Sequence, residues 1–185
     1  MNHAMLDLET LSTRNDACIL SIGVAIFNDT EVIDSEGWAI HSKFWHGHVD
    51  MDTLAWWLHP DRDAARDFSF QGKLEDFTVA FQLKTFLARH NVVEYWANSP
   101  QFDIVILQSW WKRLKDVGEF PIHYRMPRDM RTLVAEAERL GYDPKSFAGT
   151  YVAHNPVDDA VSQARVVIAA RKLIGSASPA NGGHA

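Results

Sequence analysis

The chain predicts an α/β fold on a mixed sheet, and three features carry that expectation. Its first third holds three successive strand-like segments, rich in Leu, Ile and Val and joined by short turns, which read as a meander. From Asp52 onward, helix-like and strand-like stretches alternate, the pattern of a sheet extended through helical crossovers. The length, 185 residues, suits one domain with a sizeable core.

Met5–Glu9 reads as the first strand. Ala17–Asn28, dense in Ile and Val, reads as the second, and Glu31–Trp45 alternates well enough for a third beyond a turn at Asn28–Thr30. Asp52–Pro60 predicts a short helix capped by Asp52 and stopped by Pro60, and Asp61–Asp67 predicts another. Within Leu74–Asn91, the apolar residues Phe77, Phe81, Leu83 and Leu87 recur near helical spacing. Asn91–Asn98 is a strand. Ser99 as N-cap with Pro100 at the first helical position opens a helix over Ser99–Asp116. Phe120–Met126 reads as a short strand and Arg128–Asp143 as a helix ending at Gly141. Asn155–Gly175 repeats the start in which an N-cap precedes Pro. A single domain over residues 1–174 is expected, and the small, polar, Gly-rich tail 175–185 is expected to be disordered.

A formal net charge of −6 argues against a protein coated in nucleic acid, which would carry a basic face. It leaves room for an enzyme that grips only the end of a strand. Seven Trp and ten Phe exceed what a core alone requires. Cys18 is the only cysteine, which excludes an intrachain disulfide and a thiolate metal cluster. A reducing, cytoplasmic setting is the expectation. Acids at Asp7 and Glu9 break any signal-peptide pattern. No apolar run is long enough to span a membrane, so no membrane partner is expected.

The first strand poses the chemical question. Residues i and i+2 share one face of a strand, so Asp7 and Glu9 stand side by side while Leu6 and Leu8 turn the other way. Two like charges in a buried strand repel, and burial makes each costlier, unless something cationic lies between them. Asp103 falls in the first turns of the helix after the fourth strand, and Asp158 and Asp159 fall in the first turn of the last helix, with His154 just before it. Acids at helix starts commonly serve the helix dipole alone. Asp103 is set apart by its apolar neighbours Phe102 and Ile104.

In order along the chain these residues form D-x-E (Asp7, Glu9), then N-x-x-x-F-D (Asn98 to Asp103), then H-x-x-x-x-D (His154 to Asp159). With them the sequence resembles the histidine-bearing branch of the DEDD exonuclease superfamily, which includes proofreading 3′–5′ exonucleases and RNase T. The resemblance runs from Met5 to about Ile174. Thr53–Leu58 (TLAWWL) and Arg128–Leu133 (RDMRTL) are similar to the small phage and bacterial 3′–5′ exonucleases grouped with RNase T-like exoribonucleases. Two departures stand out: Leu58-His59-Pro60 follows the Trp pair where relatives often have Gln, and Pro156 replaces an alanine in the last motif.

The resemblance implies a ribonuclease H-like fold, with a five-stranded mixed sheet flanked by helices and the acids at its centre. It implies a 3′–5′ exonuclease acting on the single-stranded 3′ end of DNA or RNA, releasing 5′-mononucleotides and using two divalent cations, Mg²⁺ with Mn²⁺ able to substitute. Hard oxygen ligands select such ions. By resemblance, Asp7 would bridge both ions, Glu9 and Asp159 would hold the one that binds the attacking water, Asp103 would serve the other, and His154 would take the water's proton. The spacing from His154 selects Asp159 over Asp158. Thr10 and Leu11 would touch the terminal nucleotide, and Asn98 and Phe102 belong to the same substrate-binding set.

Of the adjacent Trp56 and Trp57, one is expected in the core and one against a base, with Trp57 slightly preferred for stacking. His41, His46 and His48 read as solvated strand-end residues rather than a metal cluster. Arg128 and Arg131 read as a helix start with local ion pairs before phosphate contacts. Trp110 and Trp111, with Lys112 and Arg113, read as one amphipathic helix end. Exposed aromatics permit a homodimer. The rival functions are a ribonuclease H-like endonuclease, an inactive nucleic-acid-binding module of the same fold, and a metal-dependent phosphatase acting on free nucleotides.

Overall fold

In the computed structural model, residues 1–144 and 153–177 are described. They form a five-stranded sheet in the order β3-β2-β1-β4-β5. The strands are β1 (Asn2–Thr10), β2 (Ile19–Phe27), β3 (Val32–Ala39), β4 (Val92–Ala97) and β5 (Pro127–Asp129). β1 to β3 make the antiparallel meander, whereas β4 and β5 run parallel to β1, so the sheet is mixed and β1 is central. The helices are α1 (Met51–Trp57), α2 (Asp63–Ser69), α3 (Asp76–Arg89), α4 (Asp103–Arg113), α5 (Met130–Glu138) and α6 (Pro156–Ala177).

The period of two along β1 sorts its side chains between two cores. Ala4, Leu6 and Leu8 join a large cluster with Val79, Leu83 and Phe86 of α3 and with Ile106, Leu107 and Trp110 of α4. Met5 turns the other way, onto Ala160, Ala164 and Val167 of α6. A third cluster under α1 and α2 holds Leu11, Cys18, Leu20, Trp57 and Ala65. No helix among the described residues is long and apolar enough to cross a membrane.

The start of α6 is seated by missing side chains. Asp7, Gly23 and Gly37 lie in one row across β1, β2 and β3. A Cβ on Gly23 would run into the backbone of Pro156, and one on Gly37 into the Val157 side chain. The two glycines form a trough that lets the first turn of α6 approach the sheet beside Asp7.

Several expectations change. Asp50, not Asp52, caps α1: its carboxylate accepts the N–H of Thr53, the geometry of an N-cap, and leaves Asp52 in the first turn. The helix opened by Ser99 and Pro100 begins instead at Asp103, because the Ser99 carbonyl accepts from Phe102 and Asp103 and turns residues 99–102 first. The last strand is Pro127–Asp129 rather than Phe120–Met126, since the ladder places Pro127 to Asp129 against Tyr95 to Ala97 while Phe120, Ile122 and Met126 pack the core from a loop. On α3 the inward face is Val79, Ala80, Leu83, Phe86 and Leu87, and Phe77 and Phe81 are exposed. α6 continues through Gly175 to Ala177, and the rest of the tail lies outside the described residues.

Candidate active site

Each acid reaches the site by a local rule. Asp7 and Glu9 share the face of β1 opposite Leu6 and Leu8, near its C-terminal end. Asp103 is the first residue of α4, buried, and its Oδ1 accepts the N–H of Leu8 at 3.2 Å, which ties α4 to β1. His154 takes a left-handed backbone (φ +66°) just before α6, and its N–H donates to Asp159 Oδ2 at 2.8 Å. Asn155 caps the helix, its side-chain oxygen accepting from Val157 and Asp158, and Pro156 follows at the first helical position.

A cleft of about 550 Å³ lies over these groups and includes Asp7, Glu9, Asp103, His154 and Asp159 in its lining. One ligand atom from each of Glu9, His154 and Asp159 lies within 4.8 Å of the others. Asp158 does not line the cleft. The four acids feel one another. Burial pushes the Asp7 carboxyl well above the usual carboxylate range, with help from Asp103 and Asp159 and against a hydrogen bond from Gln163. Glu9 is pushed up to about 10, first by burial and then by Asp7, Asp159 and Asp103. Asp103 rises to about 7 through burial, opposed by the Leu8 N–H and the charge of Arg131. Asp159 also rises by burial, against contacts with His154. His154 moves down, chiefly through burial and with Arg62 adding to it, although Asp159 pulls the other way. Positive charge entering such a cluster would favour its ionised form. Its donors are oxygens and one imidazole, a set that suits a hard divalent cation.

Around the acids, Thr10, Asn98 and Phe102 line the cleft. Leu11 and Trp57 fall differently from expectation. Leu11 is a core residue of the cluster under α1. Trp57 lies against the cleft wall but is only 1% exposed, its indole N–H donating to the Thr10 carbonyl at 2.9 Å, so its faces are committed to the core. Trp56 is the more open of the pair. Its ring meets the His154 imidazole edge to face at 4.7 Å, and the Arg62 guanidinium sits 4.4 Å from its centroid.

Arg128 is spent on Glu94 and on the carbonyls of Arg125 and Pro127. Arg131 instead lines the cleft, bonded to the neutral Asn98 amide at 3.3 Å. His41 caps a short 3-10 turn, His46 contacts Asp76 and His48 bonds Ser12; among the described residues they form no metal-binding group. Gln163, unmarked in the sequence reading, lines the cleft and donates to Asp7 Oδ1 at 2.8 Å. Its one signal was a position four residues after Asp159, the same face of a helix one turn on.

A family model, the 3′–5′ exoribonuclease Rv2179c-like domain, matches residues 2–170. The chain belongs to this family. It is a 3′–5′ exonuclease, and its fold is that of the DEDDh nucleases. The exonuclease superposes on the nuclease domain of 3′hExo, a DEDDh family member bound to rAMP, with a TM-score of 0.57 at 15% identity, covering 95% of this chain and 92% of that one. It also matches exonuclease I, with a TM-score of 0.60 at 13% identity over 96% of this chain, but spans only 41% of exonuclease I. Exonuclease X in complex with 5′-overhanging duplex DNA matches with a TM-score of 0.52 at 14% identity, covering 93% and 92% of the two chains. A search of curated proteins gave no match.

Proposed function

We propose that this exonuclease is a two-cation enzyme that hydrolyses single-stranded nucleic acid from the 3′ end and releases 5′-mononucleotides. The observation that carries the reading is the meeting of four carboxylates and one histidine, drawn from β1, α4 and the start of α6, in a single cleft. The acid-rich donor set fits Mg²⁺ or Mn²⁺, which Asp7, Glu9, Asp103 and Asp159 would hold. When bound, such cations supply Lewis acidity at the phosphate and lower the pKa of water.

The chain's own residues supply the rest. His154 accepts the proton of the attacking water, and its depressed pKa keeps the imidazole neutral at pH 7. The Trp56 ring against the imidazole fixes its plane. Thr10, Asn98 and Phe102 contact the terminal nucleotide, and Trp56, rather than the buried Trp57, offers a ring to a base. Arg131, held by a neutral partner, meets a backbone phosphate.

The test is digestion of end-labelled RNA and DNA oligonucleotides, single- and double-stranded, with Mg²⁺, Mn²⁺ or EDTA. The expected result is a ladder shortening from the 3′ end of single strands, with RNA the first substrate to try on the family's description. Undiminished cleavage in EDTA, or cutting of a 3′-blocked strand as an endonuclease would do, overturns the proposal.

A further inference from the structure

We propose that Gln163 is a positioning residue for the divalent-cation site: its amide N–H holds the Asp7 carboxylate, and its amide oxygen accepts a hydrogen bond from the hydration water of a bound cation. This rests on the two-cation reading of the same cleft.

Both ends of the amide bear on the cleft. Gln163 Nε2 donates to Asp7 Oδ1 at 2.8 Å, linking α6 to β1 across 156 residues of sequence. Holding Oδ1 restrains the rotation of the carboxylate and so narrows where Oδ2 can point. The other end, Oε1, is buried and finds no hydrogen-bond partner among the described residues. A buried carbonyl left without a donor is costly, and Gln163 lines the cleft where a donor would arrive. Hydrated Mg²⁺ and Mn²⁺ keep several waters whose O–H groups point outward as donors.

The residue type matters as much as the contact. Asp103 is held by the backbone N–H of Leu8 and Asp159 by that of His154, so both are oriented by neutral donors. Asp7 receives a neutral donor too, but from a side chain. An Arg or Lys at this position would neutralise Asp7 and compete with the cation, while a Glu would repel it. An amide orients the carboxylate and leaves its charge for the ion. Gln163 follows Asp159 by one helical turn, so α6 delivers one ligand and the clamp on another as a rigid pair.

Calorimetric titration of Mn²⁺ into the substrate-free protein tests this without any turnover. Gln163→Met keeps the length of the side chain and removes both hydrogen bonds. Its Mn²⁺ dissociation constant is expected to rise about 10–100-fold, the usual loss when a ligand's supporting hydrogen bond is removed. Gln108→Met, the same change on the exposed face of α4, is expected to bind as wild type does. Wild-type affinity in Gln163→Met overturns the inference. Wild-type protein that takes up no Mn²⁺, or takes it up as well after Asp7→Ala, overturns the two-cation reading beneath it. Should Gln163→Met fail to fold, the side-chain amide resonances of Gln163 in the ¹⁵N-labelled wild type give the answer. A shift that saturates as Mg²⁺ is added supports the clamp, and resonances that do not move reject it.

Discussion

Near its start β1 presents His3, and toward its end Asp7 and Glu9, with β1, the β4 segment and α6 serving both groups. At the first end His3 lies opposite Glu94 of β4, with 3.1 Å between Nδ1 and the carboxylate. Arg171 of α6 donates to His3 Nε2 at 3.0 Å and pairs with Asp29 at 3.2 Å, while Arg128 pairs with Glu94 at 3.0 Å. Since Arg171 takes the lone pair of Nε2, the neutral ring carries its proton on Nδ1, close to the Glu94 carboxylate but without hydrogen-bond geometry to it. At the other end Asp7 and Glu9, Asp103 after β4 and Asp159 of α6 gather four acids, met by the neutral amide of Gln163 and, more remotely, by Arg131. The first end closes its charge internally and serves the fold. The second, the open end, gathers buried acids whose pKa values are raised by burial and, for Asp7 and Glu9, by the neighbouring carboxylates, a cost to the fold that the proposed cation would offset.

The sharpest way to break this contrast is Asp7→Ala. Activity is expected to fall by several orders of magnitude, while the melting temperature of the cation-free protein holds or rises, because a repelled carboxylate has been removed. A wild-type rate in that variant, read on a labelled oligonucleotide, would show that the open end is not the catalytic one. His154→Ala comes next, with an expected loss of about 10²–10⁴-fold and retained Mn²⁺ binding. Because the His154 pKa lies below its ordinary value of about 6.5, the wild-type rate should climb with pH only up to below about 6.5 and then level off. A limb centred above pH 7 would assign the titration to another group.

The third test is thermodynamic. The acids of the open end have folded-state pKa values above their unfolded ones, to about 7 for Asp103 and about 10 for Glu9. The folded protein therefore keeps protons that the unfolded chain has already lost. In EDTA, this contribution should be fully present below about pH 4, where the unfolded carboxylates are protonated too, and should be lost as pH rises through the folded-state values, roughly up to pH 10. Melting curves at several pH values check this, and Mg²⁺ should flatten the decline. A melting temperature that climbs with pH in EDTA would contradict the open-charge picture. The smallest effect belongs to the closed end. Glu94→Gln leaves partly solvated pairs incomplete and should cost about 1 kcal/mol in urea unfolding, with the exonuclease rate unchanged.

The open end was more legible in the sequence than its surroundings. Asp7 and Glu9 share a face by the period of two, and Pro156 after Asn155 marks a helix start without any tertiary knowledge. What escaped depends on packing between distant elements. Trp56 and Trp57 sit on a helix of seven residues, too short for periodicity to decide which ring faces the core. Leu11 looks the same whether it wedges a nucleotide or fills the space under α1. β5 is set by its ladder with Tyr95 to Ala97 rather than by its own composition, and it opens on a Pro that local propensity disfavours. Gln163 reads as an ordinary helix-surface residue until α6 is laid across β1.

The glycine trough at Gly23 and Gly37 has a consequence for the order of assembly. The meander that contains it closes through short turns, so Asp7 and Glu9 gain their places from local contacts. The helix that fills it returns from the far end of the chain, 156 residues from Asp7 to Gln163, and long closures come late. Pulse-labelled hydrogen exchange should show amides of β1 and β2 protected before those of α6, and the reverse order would sink the idea. In that order of events Asp7 and Glu9 stand in place before the start of α6 brings His154 and Asp159 to them, and the cleft is complete only once the last helix docks.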